Sequence, residues 1–280
     1  MTAPGIIVVK CGGSAAVDQD AVCADVAELA AAGRRVVLVG GGSADIERLA
    51  ARLSVPLRRL TSPDGLTARF TDEATLEVVS MALAGIVQPR LVTALQAAGV
   101  AAVGLTGVDG ALLRARRRRA QRALAGGRQV IVRGDRSGRI ASVNTALLGC
   151  LLDAGFVPVV SPPVLGADGS VLNADADRVA AAIAIAAGAS SLLLLTGAPG
   201  VLADPADPRS VLPACLVPRD GQPPQRGGGI GVKLLAARDA LAAGVPAVLI
   251  ASGAGPRPVC RALAGAGTAV ALGPAAGARA

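Results

Sequence analysis

Two lysines are the residues of this chain whose type and placement most suggest chemistry. Among its 28 basic residues, only Lys10 and Lys233 are lysine, and every other one is arginine. An arginine can serve any ordinary surface role, so these positions are predicted to need a compact, flexible ammonium group. The alternative is that both lysines are there by chance.

Glycine turns follow predicted strands close to both lysines. The segments VVKCGGS (Val8–Ser14) and VLVGGGSADI (Val37–Ile46) each read as strand, glycine turn and helix, and the first contains Lys10. In such a turn the backbone N–H groups can point at an anion beside a helix N-terminus. Glycine at these turns can also be purely structural, but two such turns near the start favour anion binding.

Two further glycine turns occur later, in LLLLTGAPGVL (Leu192–Leu202) and in the stretch GGGIGVK that ends at Lys233. The sequence contains neither a P-loop nor a dinucleotide-binding fingerprint. The remaining chemistry is phosphate handling by backbone amides and two ammonium groups. Phosphoryl transfer needs mainly that, because it depends on positioning and on stabilisation of charge.

Missing residue types exclude several other functions. Without histidine there can be no imidazole catalysis and no histidine–metal site. Tyrosine and tryptophan are also absent, so Phe70 and Phe156 alone cannot form a base-stacking platform for single-stranded nucleic acid. The five cysteines are odd in number and lack CxxC spacing, which indicates small core residues in a reduced cytoplasm.

Membrane insertion and export are not indicated by the apolar segments. The N-terminus goes directly into a short apolar run without a basic leader, so no signal peptide is predicted. The most apolar stretch starts at Val179 and is interrupted by Gly188 and two serines. It is predicted to be a buried helix followed by a buried strand, in a cytoplasmic protein without a membrane span.

Alternation of β-branched runs with Ala/Leu-rich segments predicts a three-layer αβα fold with a mainly parallel central sheet. The predicted strands are Ile6–Lys10, Arg35–Val39, Val100–Leu105, Val157–Ser161, Ser191–Thr196 and Ala247–Ala251. The predicted helices are Gln19–Ala32, Ser43–Leu53, Thr71–Ala98, Asn144–Ala154, Ala174–Ala187 and Gly231–Ala243.

Other segments are predicted to be turns and loops. Val130–Arg133 and Arg139–Ser142 are expected to form a hairpin around the turn GDRSG. Ser161–Ser170 and Asp220–Gly229 are expected to be irregular, the first as a boundary between two lobes, and Gly273–Ala280 to be a frayed tail.

The segment LLRARRRRAQR concentrates positive charge in a chain whose net charge is already +8. It could be a solvated face, bind nucleic acid, or dock a carboxylate-rich protein. The scarcity of aromatic residues argues against nucleic acid. Its arginines are Arg114, Arg116, Arg117, Arg118, Arg119 and Arg122.

In the order and spacing of its motifs, essentially the whole chain resembles the amino acid kinase family. The resemblance implies that fold, with an N-terminal lobe (1–165) for the carboxylate substrate and its carrier and a C-terminal lobe (166–280) for ATP. The matching motifs are Lys10-Cys11-Gly12-Gly13-Ser14, Gly40-Gly41-Gly42, Asn173-Ala174-Asp175, Thr196-Gly197-Ala198-Pro199-Gly200-Val201 and Gly231-Val232-Lys233.

Within the family, Arg69-Phe70-Thr71-Asp72 resembles the acetylglutamate kinase branch. SPDG, GLTGVDG (Gly104–Gly110) and RGDRSGRIASVN (Arg133–Asn144) are similar to one sub-branch, the kinases of substrates tethered to a LysW-type amino-group carrier protein. The sequence departs from its relatives at Gly40, commonly histidine, and at Thr106, commonly serine. No helix precedes the first strand, which favours a homodimer without arginine feedback.

The resemblance implies ATP- and Mg²⁺-dependent phosphorylation of a side-chain carboxylate, which is already ionised and needs no general base. Lys10 and Lys233 would flank the transferred group, Asp175 would hold both ammonium groups, and no metal is assigned to protein ligands. The other implied contacts are acceptor binding by Gly12, Gly13, Gly41, Gly42, Arg69 and Asn173, and nucleotide binding by Thr196, Gly197, Gly200 and Val201.

Plainer roles stay open for three of these residues. Arg69 could be a solvated arginine, Asp175 an ordinary helix-start charge and Asn173 an N-cap. The six arginines would dock an acidic carrier protein. The alternatives for the whole chain are a kinase of free N-acetylglutamate and, from another class, a nucleic-acid-binding protein.

Overall fold

The computed structural model describes residues 5–63, 65–125, 128–220 and 229–273. In chain order the strands are β1 (Ile7–Cys11), β2 (Val36–Gly40), β3 (Arg58–Thr61), β4 (Thr67–Phe70), β5 (Ala102–Gly107), β6 (Leu113–Arg117), β7 (Ala120–Ala125), β8 (Arg128–Arg133), β9 (Gly138–Val143), β10 (Val157–Gly166), β11 (Val171–Leu172), β12 (Ser191–Thr196), β13 (Ala214–Val217), β14 (Ala247–Ser252) and β15 (Thr268–Leu272). The α-helices are α1 (Gln19–Ala31), α2 (Ser43–Arg52), α3 (Glu73–Ala82), α4 (Gln88–Ala97), α5 (Thr145–Asp153), α6 (Ala176–Ala186), α7 (Ile230–Ala242) and α8 (Pro258–Leu263).

The strands form a large central sheet and a small second sheet. The central order is β13-β15-β14-β12-β1-β2-β10-β6-β9, and β5 and β11 also pair with β10. Its middle is parallel, since β1 lies between β12 and β2, and β2 pairs in parallel with β10. The second sheet has the order β4-β3-β7-β8.

The side chains of β1 show why helices cover both faces of the central sheet. Ile7 and Val9 belong to one buried cluster, which includes residues of α1, α2, α3, α4 and α8. Val8 belongs to the other, which includes residues of α5, α6 and α7. Because successive strand residues point to opposite faces, both faces must be buried. The predicted three-layer fold is confirmed, and Lys10, two residues after Val8, lies on the face covered by α6 and α7.

The long predicted helix at Thr71–Ala98 is continuous from Glu73 to Ala97, but it is not regular. A π-helical turn, Leu83–Val87, joins α3 to α4, just before Pro89. Proline lacks an N–H, and a wider π turn lets the helix pass it without a break. Among the described residues, this is the one helix long and apolar enough to span a membrane, with a mean hydropathy of 1.6. Its Val79, Leu83 and Leu91 pack in the same buried cluster as Ile7 and Val9 of β1.

The predicted hairpin around GDRSG is wrong. β8 pairs with β7 in the second sheet, whereas β9 pairs with β6 in the central sheet. Contacts to distant parts of the chain prevent the segment between β8 and β9 from forming a tight turn. The Arg136 N–H donates to the Thr71 carbonyl at 2.7 Å, and Ser137 forms a bridge with Asn173.

The prediction of an irregular segment at Ser161–Ser170 is also wrong in its first half, because β10 continues to Gly166. The strand changes partners at the cis-linked Pro162–Pro163 pair. Before the prolines β10 pairs with β5 up to Ser161, and after them Val164 and Leu165 pair with β11. The prolines therefore lie where no ladder hydrogen bond is required of them. Most of the predicted loop Asp220–Gly229 and of the tail Gly273–Ala280 lies outside the described residues.

Candidate active site

A cleft of about 1010 Å³ opens at the carboxyl ends of β1, β2 and β12, where ligands commonly bind in parallel sheets. It brings together most residues singled out from the sequence. Gly197 and Val201 do not line it, whereas Arg118 and Arg122 do. The other predicted residues that line it are Lys10, Gly12, Gly13, Gly41, Gly42, Arg69, Asn173, Asp175, Thr196, Gly200 and Lys233.

The two lysines meet at a single buried carboxylate, that of Asp177. Lys233 Nζ lies 3.0 Å and 2.9 Å from the two carboxylate oxygens, and Lys10 Nζ lies 3.2 Å from Oδ1. The side chains of Lys10, Lys233 and Asp177 are each less than a tenth exposed. Lys10 comes from β1, Lys233 from the first turns of α7, and Asp177 from the first turn of α6.

Burial and mutual attraction set the protonation states of this group. Burial would raise the pKa of Asp177, but Lys10 and Lys233 hold it below its usual value. Burial lowers the pKa of Lys233, against the attraction of Asp177. For Lys10 burial acts in the same direction, yet Asp177 and Asp175 together raise its pKa. Asp177 is therefore the carboxylate that both lysines contact, whereas burial and the neighbouring Asp177 raise the pKa of Asp175, which also interacts with both lysines.

The prediction that Asp175 holds both ammonium groups is wrong, since Asp177 does so. Asp175 is the N-cap of α6, and its Oδ1 accepts the N–H groups of Asp177 and Arg178 at 3.0 Å and 3.1 Å. Residues two apart on a helix point in nearly opposite directions, so only one of the two carboxylates can face β1 and α7. Asp175 still borders the cleft.

The first two glycine turns lie directly against each other. A Cβ at Gly13 would be 2.3 Å from the Gly42 nitrogen and 2.4 Å from the Ser43 nitrogen, so only glycine fits. The Ala44 N–H donates to the Gly13 carbonyl at 2.8 Å, and the Gly41 N–H donates to the Cys11 carbonyl at 3.1 Å. The N-cap of α2, Gly42, supplies no side-chain hydrogen bond. The N-terminus of α2 thus faces the cleft without a side-chain cap, as an anion site requires.

Gly13→Ala is expected to lower kcat/KM about 10²-fold, because the added methyl group must push the two turns apart and misplace their N–H groups. Gly149→Ala is the matched control. That glycine lies in α5, where a Cβ meets nothing within 4 Å, and alanine is the better helix former. Steady-state turnover and thermal unfolding of both variants check this. Full activity in Gly13→Ala would contradict the close contact of the turns.

The acceptor half of the cleft is formed by the second sheet and the loop before α6. The Arg69 side chain, on β4, is only 13% exposed, so it is not a solvated arginine. Its pKa is lowered by burial and by repulsion from Arg59. Among the described carboxylates only Glu47 comes within 4 Å of it, at 3.9 Å. Asn173 is not the N-cap of α6; its Nδ2 donates to Thr71 Oγ1 at 3.0 Å.

The turn after β12 forms the other half of the cleft. Thr196 and Gly200 line the cleft, whereas Val201 is fully buried. The Val201 N–H donates to Thr268 Oγ1 at 2.9 Å, which ties the turn to β15. Gly197 packs towards the loop after β1, where its Cβ would be 2.9 Å from that of Ala16. Gly197 and Val201 therefore shape the turn rather than face the cleft.

The six arginines of LLRARRRRAQR are all exposed, but they belong to two sheets. The first three lie on β6 in the central sheet, Arg122 lies on β7 in the second sheet, and Arg118 and Arg119 connect them. None comes within 4 Å of a carboxylate in the described part of the chain. We call this set the arginine surface: Arg114, Arg116, Arg117, Arg118, Arg119 and Arg122.

Comparison with known proteins agrees with this geometry. Residues 5–252 match the amino acid kinase family. The chain is 42% identical over 268 residues to a [LysW]-aminoadipate kinase of Deinococcus radiodurans, covering 95% of this chain and 91% of that one. It is 38% identical over 257 residues to an acetylglutamate kinase of Synechococcus sp., covering 90% and 77%. A solved Giardia carbamate kinase has the same fold, with a TM-score of 0.66 at 15% identity over 97% of this chain and 100% of that one.

The chain belongs to the amino acid kinase family. It is an ATP-dependent kinase that phosphorylates a carboxyl group, and the prediction from the sequence is confirmed at this level.

Proposed function

We propose that this kinase phosphorylates the side-chain carboxylate of an amino dicarboxylate, such as α-aminoadipate or glutamate, tethered to an acidic LysW-type carrier protein. The observation that carries the proposal is the arginine surface, which has no ion pair with the described carboxylates and reaches the cleft at Arg118 and Arg122. A small free acceptor has no use for charge outside the cleft. An acidic carrier would be steered and oriented by it. The 42% identity to a [LysW]-aminoadipate kinase supports the same assignment.

The lysine–aspartate group supplies the charge that phosphoryl transfer needs. Lys10 approaches the transferred group from the central sheet and Lys233 from α7, and Asp177 keeps the two ammonium groups close together. The N–H groups of Gly12, Gly13 and Gly42 hold phosphate and carboxylate oxygens as two anions are brought together, whereas the Gly41 N–H is engaged by the Cys11 carbonyl. The acceptor carboxylate is ionised near neutral pH, with a pKa of about 4, so attack requires no protein base.

The acceptor is held by Arg69 and Asn173, and the nucleotide by Thr196 and Gly200, while Gly197 and Val201 shape the turn that carries them. A buried guanidinium with a weakly engaged fork suits a planar carboxylate. Mg²⁺ would offset the charge of the nucleotide phosphates that bind it. The donors present fit that arrangement, because Asp177 is engaged by two ammonium groups and Asp175 caps α6, which leaves the ion to the nucleotide phosphates.

The remaining proposals concern organisation and partners. Residues 1–165 form the lobe for acceptor and carrier, and residues 166–280 form the lobe for ATP. The protein acts in the cytoplasm as a homodimer and binds neither nucleic acid nor a membrane. Of the two described aromatic side chains, Phe70 is buried under the Arg58 guanidinium, 4.3 Å from its ring centre, and a single exposed ring, Phe156, cannot form a stacking platform.

The alternative is phosphorylation of free N-acetylglutamate. It is favoured by the similarity to acetylglutamate kinases, and Arg69 and Asn173 could bind the free acceptor in the same way. This alternative predicts no role for the arginine surface.

A double replacement, Arg118→Ala with Arg122→Ala, separates the two functions. For a carrier-bound acceptor, its KM is expected to rise up to roughly tenfold, because two partner contacts are lost. For the wild type, KM should rise with ionic strength, since salt screens exposed charges. Both effects on KM are measured by ATP turnover, first with a free acceptor and then with the same acceptor joined to an acidic carrier.

The matched control is Arg34→Ala with Arg52→Ala, which removes the same charge from exposed positions. Arg34 precedes β2 and Arg52 ends α2, so both lie at the end of the sheet opposite the cleft. Rapid turnover of free N-acetylglutamate, unchanged by the cleft-side replacements and by salt, would establish the alternative.

A further inference from the structure

We infer that Thr71 is a positioning residue for the acceptor, because its hydroxyl group holds the side-chain amide of Asn173. The identity of the acceptor rests on the proposed function, but the contacts of Thr71 do not. Thr71 lies between β4 and α3 and is fully buried. It is two residues beyond Arg69, and it does not line the cleft.

The Thr71 hydroxyl joins two segments that are distant in the sequence. Asn173 Nδ2 donates to Thr71 Oγ1 at 3.0 Å, and Ser137 Oγ donates to the same oxygen at 3.3 Å. An asparagine side chain offers two N–H donors and one carbonyl acceptor. Since Thr71 engages one N–H, the second N–H and the carbonyl of Asn173 remain for the acceptor.

Thr71 is itself fixed through its backbone. Its N–H donates to Asp135 Oδ1 at 3.2 Å, and its carbonyl accepts the Arg136 N–H at 2.7 Å. Asp135 is 5% exposed, and its carboxylate also accepts the Ser137 N–H at 3.1 Å and Gln121 Nε2 at 2.7 Å. A buried carboxylate with three donors is a strong anchor, because losing any one leaves a polar group unsatisfied.

This network links the acceptor site to the arginine surface. Gln121 lies on β7 next to Arg122, and the Asp135 carbonyl also accepts Arg117 Nε at 2.9 Å. The segment that carries Thr71 is therefore tied to β6 and β7, and through its hydroxyl group to Asn173. Arg69 and Asn173 come from different halves of the chain, and Thr71 fixes the position of Asn173 relative to Arg69.

The kinetic test compares Thr71→Val with Thr71→Ser. Valine keeps the shape and removes the hydroxyl group, so kcat/KM for the acceptor is expected to fall about tenfold while KM for ATP stays within about twofold. Serine restores the oxygen and should restore most of kcat/KM. If valine leaves the acceptor kinetics unchanged, or if both variants impair ATP and acceptor equally, Thr71 does not position the acceptor.

A second measurement needs no acceptor and separates this inference from the proposed function. The side-chain amide of Asn173 is followed by ¹H–¹⁵N NMR and identified by its loss in Asn173→Asp. The side-chain amide protons of Asn173 are expected to exchange slowly with solvent in the wild type and in Thr71→Ser, and fast in Thr71→Val. Equal exchange in all three overturns the inference, even if the kinase prefers a carrier-bound acceptor. If no carrier-bound acceptor turns over but exchange follows the hydroxyl group, only the proposed function fails.

Discussion

Asp177→Asn is expected to lower kcat by roughly 10²–10³-fold. The substitution removes the one carboxylate that contacts both buried ammonium groups, and removal of one partner from a buried ion pair costs about 3–5 kcal/mol. The hydrogen bonds can partly survive, because asparagine keeps one oxygen, but the charge that holds Lys10 and Lys233 together is lost. Single-turnover kinetics with saturating ATP measure the effect on phosphoryl transfer.

Unfolding experiments give a second check of the same prediction. Asp177→Asn should lower Tm in the absence of nucleotide. ATP should raise the Tm of this variant by more than it raises that of the wild type, because its phosphates supply the missing negative charge. Asp175→Asn is the matched control, two residues away. Asparagine caps a helix as well as aspartate, so this variant should keep its Tm and most of its activity. Greater loss in Asp175→Asn than in Asp177→Asn would reverse the assignment.

Lys10→Arg and Lys233→Arg are each expected to lose most turnover, by about 10²-fold or more, although both keep the charge. The ammonium groups lie within 3.2 Å of Asp177 in side chains that are less than a tenth exposed. A guanidinium group is larger and planar and cannot occupy the same point without moving its neighbours.

Arg238→Lys provides the control for this exchange. It lies on α7, the helix of Lys233, borders the cleft and conserves charge in the same way. It should retain near-normal turnover and nucleotide affinity. Near-wild-type turnover in either lysine variant would refute the assigned role of that lysine.

The parts of the fold that depend on hydrophobic pattern were predictable from the sequence. The central strands of the large sheet are buried on both faces and appear as continuous apolar runs, which is why β1, β2, β12 and β14 agree with prediction within a residue or two. The second sheet was not predicted. β3 is short and arginine-rich, which is the composition of a loop, whereas most of β8 was predicted as a strand but with β9 as its partner instead of β7.

The candidate site was predictable where the residue type alone carries the chemistry. Lys10, Lys233 and the glycine turns belong to that class. The choice between Asp175 and Asp177 could not be predicted from the sequence, because it depends on where α6 begins and on the direction in which each side chain leaves the helix. Thr71 and Asp135 were missed for another reason. Their partners are distant in the chain, and only the folded structure brings Thr71 next to Asn173.

The position of β1 has a consequence for synthesis on the ribosome. This strand is made first but lies in the middle of the central sheet, and one of its edges must wait for β12. Lys10 can pair with Asp177 once α6 has been made, and Lys233 joins them later from α7. Until β12 has been made, the nascent chain carries an apolar strand with an unpaired edge, and such a segment tends to associate with other chains. The early glycine turn can form with β2, but the lysine–aspartate group becomes complete only after α7 has been made.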